Sequence, residues 1–306
     1  MFALSPSVLG AAKDEGVPTV MTLHNYRLIC PGALLMRGGK VCEHCIGKSP
    51  WHGVLRRCYR GSALQTALVA RMISRNRRSG TWDRLVDAYI AITDICRGVF
   101  VRAGLPADRV IVKPNFLQED PLPAESPGAG AIFRGRLSRE KGVRTLIEAW
   151  KQVPEAPLTI VGDGPERPAL EKLAASLPNV SLVGQAGQPE AMERIKQAAF
   201  LIMPSEWYET FGRCIVEAYA CGRPVVASRL GAMAELVKDG ETGLLFEPGN
   251  ARDLAAKVKA LLADPAECQR LGRAARAEFE AKYTAERNYE MLMAIYRRVI
   301  EKSTKR

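Results

Sequence analysis

Two glutamates lie eight positions apart, Glu209 and Glu217, in a stretch that begins Pro204-Ser205-Glu206-Trp207-Tyr208-Glu209-Thr210-Phe211-Gly212-Arg213. The stretch reads as a strand running into a helix, with Glu209 just before the helix and Glu217 on its second turn. First-turn amides of a helix have no intrahelical partner, so those of Phe211, Gly212 and Arg213 can face a phosphate. A carboxylate deeper on the helix can accept hydrogen bonds from ribose hydroxyls. Glutamates at a helix start also serve simply to complement its dipole. A second segment, Gly135-Arg136-Leu137-Ser138-Arg139-Glu140-Lys141-Gly142, sets Arg136 and Lys141 on either side of another strand-to-helix turn. A forked guanidinium and a point ammonium suit a diphosphate, and the same pair also fits two ordinary surface cations. In Val161-Gly162-Asp163-Gly164-Pro165, Gly164 permits either the close approach of a ligand or merely a tight turn, with Pro165 opening a helix.

A different chemistry is offered by Cys30, Cys42, Cys45 and Cys58, a C-x11-C-x2-C-x12-C series within a Gly-, Pro- and Arg-rich insert. The Cys42–Cys45 spacing is that of a zinc knuckle, and Cys30 and Cys58 can complete a tetrahedron, with His44 as a weaker substitute. Large apolar residues are few in the insert, so a structural zinc would supply the stability it otherwise lacks. Reduced thiols packed under the loop, or a redox disulfide, are the alternatives. Cys96, Cys214, Cys221 and Cys268 fall on expected helices and read as core.

Short β-rich runs alternate with helical stretches after the linker at about 118–130, which is rich in Pro, Gly and acids. Strands are expected at Ala131–Arg136, Leu158–Val161, Val180–Val183, Phe200–Met203, Pro224–Ser228 and Gly243–Phe246. Helices lie between them, and three more follow from Asn250, Pro265 and Tyr283. This is the pattern of a doubly wound parallel sheet over 131–282. The first part, 1–117, is thinner: a helix capped by Ser5, strands at Thr19–Leu23, Ala88–Ile92 and Val110–Val112, the insert at about 30–60, and a basic helix over Ser62–Arg78. Three strands cannot make a covered sheet, so this half is expected to lack its first strands. The last helix, 283–306, is expected to pack back on it.

The segments GRLSREKG, IVGDGP, NVSLVG, PSEWYETFGRCIVEAYACGRPVVAS and GETGLLF, spanning nearly all of 130–263, resemble the donor domain of the family-4 retaining glycosyltransferases, the group 1 glycosyl transferases. That resemblance implies an α/β GT-B-like fold of two Rossmann-like doubly wound domains, the first incomplete and truncated at its amino end. It implies that Arg136 and Lys141 grip a donor diphosphate, that Glu209 reaches the donor sugar and Glu217 the ribose, and that Gly164, Thr210, Phe211 and Gly212 line the donor pocket. GVPTVMTLHN is similar to a family strand ending in histidine, which implies that His24 acts with Glu209 on the sugar or the β-phosphate. Transfer with retention, from a nucleotide-diphosphate sugar to a glycan or lipid-linked acceptor, follows as the expected activity, without a catalytic metal. Synthesis of cell-surface polysaccharide is the expected setting.

The composition fits a globular chain of two domains: 306 residues, 47% hydrophobic, 25% charged. No apolar run is long enough for a membrane span and the first residues lack a signal-peptide pattern, so a cytoplasmic chain is expected. The net charge of +11 suits nucleic acid, anionic lipid or phosphorylated small molecules. No nucleic-acid reading module accompanies it, so nucleic acid is not an expected partner. The basic helix, with Leu64, Leu68, Met72 and Ile73 beside Arg71, Arg75, Arg77 and Arg78, fits either a lipid-facing element at the inner membrane face or an ordinary surface helix. Two rival functions remain: a sugar-nucleotide-binding fragment or regulator without transfer activity, and a nucleotide-sugar epimerase.

Overall fold

A computed structural model of the chain describes residues 6–304; the Ser5 cap lies outside them. The described residues form two compact units. One runs up to Pro114 and resumes at Asn288; the other is Asn115–Arg287.

The first unit contains α1 (Ser7–Asp14), β1 (Val20–Leu23), β2 (Met36–Arg37), β3 (Lys40–Val41), α2 (His52–Leu55), α3 (Ala63–Arg78), α4 (Thr81–Arg84), β4 (Ala88–Ala91), α5 (Asp94–Arg102) and β5 (Val110–Val112). β1, β4 and β5 make a three-stranded parallel sheet in the order β1-β4-β5. All four residues of β4 are buried, as a central strand covered on both faces requires. The carboxyl-terminal helix, Ala285–Thr304, places Ile295 and Val299 one turn apart against Ala88 and Ile90 of β4. β2 and β3 form a hairpin across Gly38 and Gly39, both at positive φ, the requirement of a two-residue loop that matches strand twist. This hairpin was not expected from the sequence, although two glycines between Arg37 and Lys40 are its signal.

The second unit runs β6 (Ala131–Arg134), α6 (Val143–Trp150), β7 (Leu158–Val161), α7 (Arg167–Ala174), β8 (Val180–Gly184), α8 (Gln188–Gln197), β9 (Phe200–Met203), α9 (Arg213–Ala220), β10 (Val225–Ser228), α10 (Gly231–Leu236), β11 (Gly243–Phe246), α11 (Ala251–Ala263) and α12 (Pro265–Lys282); the carboxyl-terminal helix is α13. Its six strands are parallel and ordered β11-β10-β9-β6-β7-β8. The chain builds outward from β6 to β8, returns to the other side of β6 with β9, and builds outward again. Between β6 and β9 the winding therefore reverses, and in doubly wound sheets ligands bind beyond the carboxyl ends of the strands at that point. On one face Phe133, Leu146, Ile147, Trp150, Ile160 and Phe200 share a single apolar core. The Trp150 ring is fully buried, and its Nε1 donates to the Ala156 carbonyl at 2.9 Å.

Two arginines hold the linker to this unit. Buried Arg223 donates to the carbonyls of Ser126, Pro127 and Lys196. Arg276 grips Asp120 with two nitrogens, at 2.7 and 2.6 Å, and hydrogen bonding from that guanidinium holds the Asp120 carboxyl below its ordinary range.

Two outcomes follow. Trp150→Ala should lower unfolding free energy by about 3–5 kcal/mol in urea titration. Asp120→Asn should be slightly less stable than the parent at neutral pH. The depressed carboxyl contributes above its unfolded pKa of about 3.9 and loses that contribution as pH falls through the lower folded value, so the gap should close in acid.

Candidate functional site

The reversal of winding brings the loop after β6 beside the loop after β9, and these carry the two sequence motifs. Glu209 is buried, and Lys141 Nζ meets its Oε1 at 2.5 Å. Ser205 Oγ donates to the same oxygen at 2.9 Å, and the Lys141 ammonium lies 5.7 Å from the centre of the Trp207 ring. One turn into α9, Glu217 is buried too, at 1% exposure. Arg134 donates one nitrogen to Glu217 and the other to Gln188 Oε1 at 2.7 Å. Gln188 Nε2 donates in turn to Glu217 Oε1 at 3.1 Å, and Arg213 Nε stands 3.3 Å from that oxygen. Buried carboxylates need such company: a carboxylate left alone at this depth would cost several kcal/mol. Cys214 is beside them, its Sγ near the Arg134 carbonyl at 3.2 Å. Burial, and after it the Glu217 charge, push its thiol up to about 12, so it is no nucleophile at neutral pH.

Arg136 is exposed and makes no ion pair among the described residues. Gly212 caps α9 and the Arg213 and Cys214 amides open it. Thr210 and Phe211 are buried, and the Phe211 ring packs edge-on against Tyr283 with centroids 6.3 Å apart. Phe211 thus faces the core with its side chain, leaving its backbone as the part that can serve a ligand.

Glycines let the loops touch. A Cβ on Gly142, at φ +68°, would lie 1.9 Å from the Pro204 carbonyl oxygen, and one on Gly162 would lie 1.9 Å from that of Gly135. A Cβ on Gly164 would stand 2.4 Å from the Leu137 oxygen, so loop-to-loop packing requires glycine there. That contact is reinforced by Leu137 N donating to the Asp163 carbonyl and Glu166 N to that of Leu137, both at 2.9 Å.

The structure therefore brings together Lys141 with Glu209, and places Glu217 at the same reversal. His24 is in the other unit, exposed, directly after β1. Arg134, Gln188, Ser205 and Trp207 belong to the site and were missed in the sequence. For Arg134 a signal existed: it ends the apolar strand Ala131–Arg134, where a cation has no reason to stand unless a partner waits.

The insert thiols are all free. Burial pushes Cys45 up to about 12, with Cys30, Cys42 and Cys58 adding to the shift. Among the described residues there is no group of three or more Cys, His, Asp or Glu side chains that could hold a metal ion. The four cysteines of the zinc expectation thus lie near enough to act on one another electrostatically without forming such a group. Leu35 of the insert is fully buried, and just ahead of the insert the buried Tyr26 ring stacks on Phe100 at 5.7 Å.

Comparison with known proteins places this geometry. Residues 120–278, just over half of the chain, match the family model "Glycosyl transferases group 1". The chain is 35% identical over 173 residues to a sulfoquinovosyl transferase of Arabidopsis thaliana, covering 54% of this chain and 34% of that protein. It is 27% identical over 310 residues to D-inositol 3-phosphate glycosyltransferase 1 of Catenulispora acidiphila, covering 95% and 69%. The chain thus spans about a third of the first relative. Among solved structures, Anabaena HepE in complex with UDP and glucose superposes with a TM-score of 0.70 at 23% identity, covering 95% of this chain and 76% of that one. Sucrose-phosphate synthase from Thermosynechococcus elongatus gives 0.69 at 26% identity, covering 81% and 66%. These neighbours have the GT-B fold, in keeping with the α/β architecture and parallel sheets seen here.

Gly142→Ala is expected to push the Pro204 loop away from the Lys141 loop and separate Lys141 from Glu209. The melting temperature should fall by several degrees, since a positive-φ clash of this kind costs on the order of 1–3 kcal/mol. A melting temperature equal to that of the parent would show that the loops do not meet as described. With the family matched over more than half its length, the chain belongs to the group 1 glycosyl transferases.

Proposed function

We propose that this chain binds a nucleotide-diphosphate sugar and transfers the sugar, with retention, to a glycan or lipid-linked acceptor in the assembly of cell-surface polysaccharide. The observation that carries this reading is the pair of buried, cation-held carboxylates, Glu209 and Glu217, at the reversal of winding, with Arg136 exposed at the same strand ends. A Rossmann-like sheet binds its nucleotide at that point. The UDP complexes of HepE and the names of the curated relatives support a nucleotide-sugar donor.

In this reading Arg136 and Lys141 hold the diphosphate, and the amides from Thr210 to Gly212 line the pocket at the start of α9. Breaking the bond between the anomeric carbon and the phosphate oxygen leaves charge growing on the diphosphate. Fixed cations and the positive end of a helix stabilise that charge without reorganising. The acceptor hydroxyl attacks the face the diphosphate leaves, and the departing phosphate takes its proton. Glu209 orients the sugar, Glu217 accepts hydrogen bonds from the ribose, and His24 hydrogen-bonds the sugar or β-phosphate. Arg134 and Gln188 keep Glu217 aimed. The reaction belongs in the cytoplasm or at the inner face of a membrane. No helix among the described residues is long and apolar enough to cross a membrane. A second reading is donor binding without transfer.

Calorimetry against UDP-, GDP- and ADP-sugars should find one tight class. Arg136→Ala should weaken it by about 1.5–3 kcal/mol, roughly ten- to a hundredfold. Glu217→Ala should weaken nucleoside binding more than sugar-phosphate binding. Unchanged affinity in Arg136→Ala would move the diphosphate elsewhere, and binding without any transfer to glycan or lipid-linked acceptors would favour the second reading.

A further inference from the structure

Of the 44 lysines and arginines and 33 acids in the chain, eight cations and no acid fall between Glu43 and Asp83. That stretch alone carries most of the net charge of +11. It folds into the α2–α3 face of the first unit. There Leu64 and Leu68 stand 74% and 63% exposed one turn apart, and neighbouring α2 ends on Leu55, 88% exposed, with Trp51 at 44% just before it. Arg71 and Arg75 continue the Leu64–Leu68 row at helical spacing and are exposed. Arg56, Arg57, Arg71, Arg75 and Arg78 make no ion pair among the described residues. The opposite side of α3 is packed, with Val69, Ala70 and Ile73 buried. The apolar face expected from the sequence is corrected accordingly: Ile73 belongs to the core, and Leu64 and Leu68 point away from it.

Exposed leucines are costly to leave in water, and like charges packed this densely repel one another. Both costs fall at the surface of an anionic bilayer, where leucines enter the acyl boundary while guanidinium groups stay at the phosphates. A nucleic acid would answer the charge and leave the leucines wet. A protein partner would need an acidic apolar groove of matching shape. We infer that the α2–α3 face, with Leu55, Leu64, Leu68, Arg71 and Arg75, is a docking surface for an anionic lipid bilayer. The inference goes beyond the donor reading and stands on residues that play no part in it.

The full chain should co-float with vesicles containing phosphatidylglycerol and not with pure phosphatidylcholine, and high salt should release it. Arg71→Ala with Arg75→Ala should weaken binding roughly tenfold or more. Leu64→Ser with Leu68→Ser should weaken it comparably while leaving the thermal melt unchanged, because both side chains are already in water. Nucleotide-sugar affinity, measured on the same variants, should stay at the parental value; loss of vesicle binding alone therefore tests this surface and not the donor site. No binding to anionic vesicles, or binding indifferent to both double variants, would overturn the inference. So would tighter binding to an oligonucleotide that the arginine pair weakens and the leucine pair leaves untouched.

Discussion

The pairing of two buried carboxylates with cations from β6 and the loop after it governs the second unit. Glu209 and Glu217 are nearly inaccessible to water. At that depth they are met by Lys141, Arg134 and the hydrogen bonds of Ser205 and Gln188, which offset the cost of burying them. The cations reach them only because β6 and β9 are adjacent in space although 65 residues and two strands separate them in the chain. A sheet wound in one direction would leave Arg134 and Lys141 beside β7, away from α9. Strand order and site are therefore one constraint. Hydrophobic burial selects a covered parallel sheet, and the reversal of winding decides which polar residues meet.

The glycines make the same point at shorter range. Three backbone approaches, Gly142 to Pro204, Gly162 to Gly135 and Gly164 to Leu137, leave no room for a Cβ. Gly142 and Gly162 also hold φ values that other residues rarely adopt. Loops locked together by backbone contacts hold Lys141 and Glu209 at ion-pair distance without a ligand. Such preorganisation lowers the cost of ordering on binding. Gly164 illustrates how a motif residue can be indispensable through the shape of the loop.

Much of this was legible before any coordinates. The strands at Leu158–Val161, Phe200–Met203 and Gly243–Phe246 were read with their observed limits, because each is a short apolar run bounded by Gly, Pro or polar residues. Boundaries slipped where caps intervene: the helix expected from Pro165 begins at Arg167, after a turn stitched to Leu137. The side-chain network was the less legible part. Nothing local to Arg134 or Gln188 announces Glu217 as a partner, since they stand 83 and 29 residues away from it. The insert's apolar residues are few when counted locally, yet Leu35 is fully buried in the unit the insert joins.

The ion pairs also bear on how a donor would enter. Glu217 is already held by two guanidinium groups, Arg134 and Arg213, and Lys141 is already committed to Glu209. Under the donor reading, a diphosphate arriving at Lys141 would exchange one ion pair for another, so the net gain there would be smaller than a lone ammonium would give. Among the described residues Arg136 pairs with no carboxylate. Its full attraction is available to the incoming charge, and so is that of the α9 amino end, which carries about half a positive charge. Under the donor reading, affinity for the phosphates comes mainly from Arg136 and the helix. Lys141 acts by shifting between Glu209 and the ligand, and Glu209, once released, gains a free oxygen for a sugar hydroxyl. Under that reading a single ion pair would couple phosphate binding to the readiness of the carboxylate that meets the sugar.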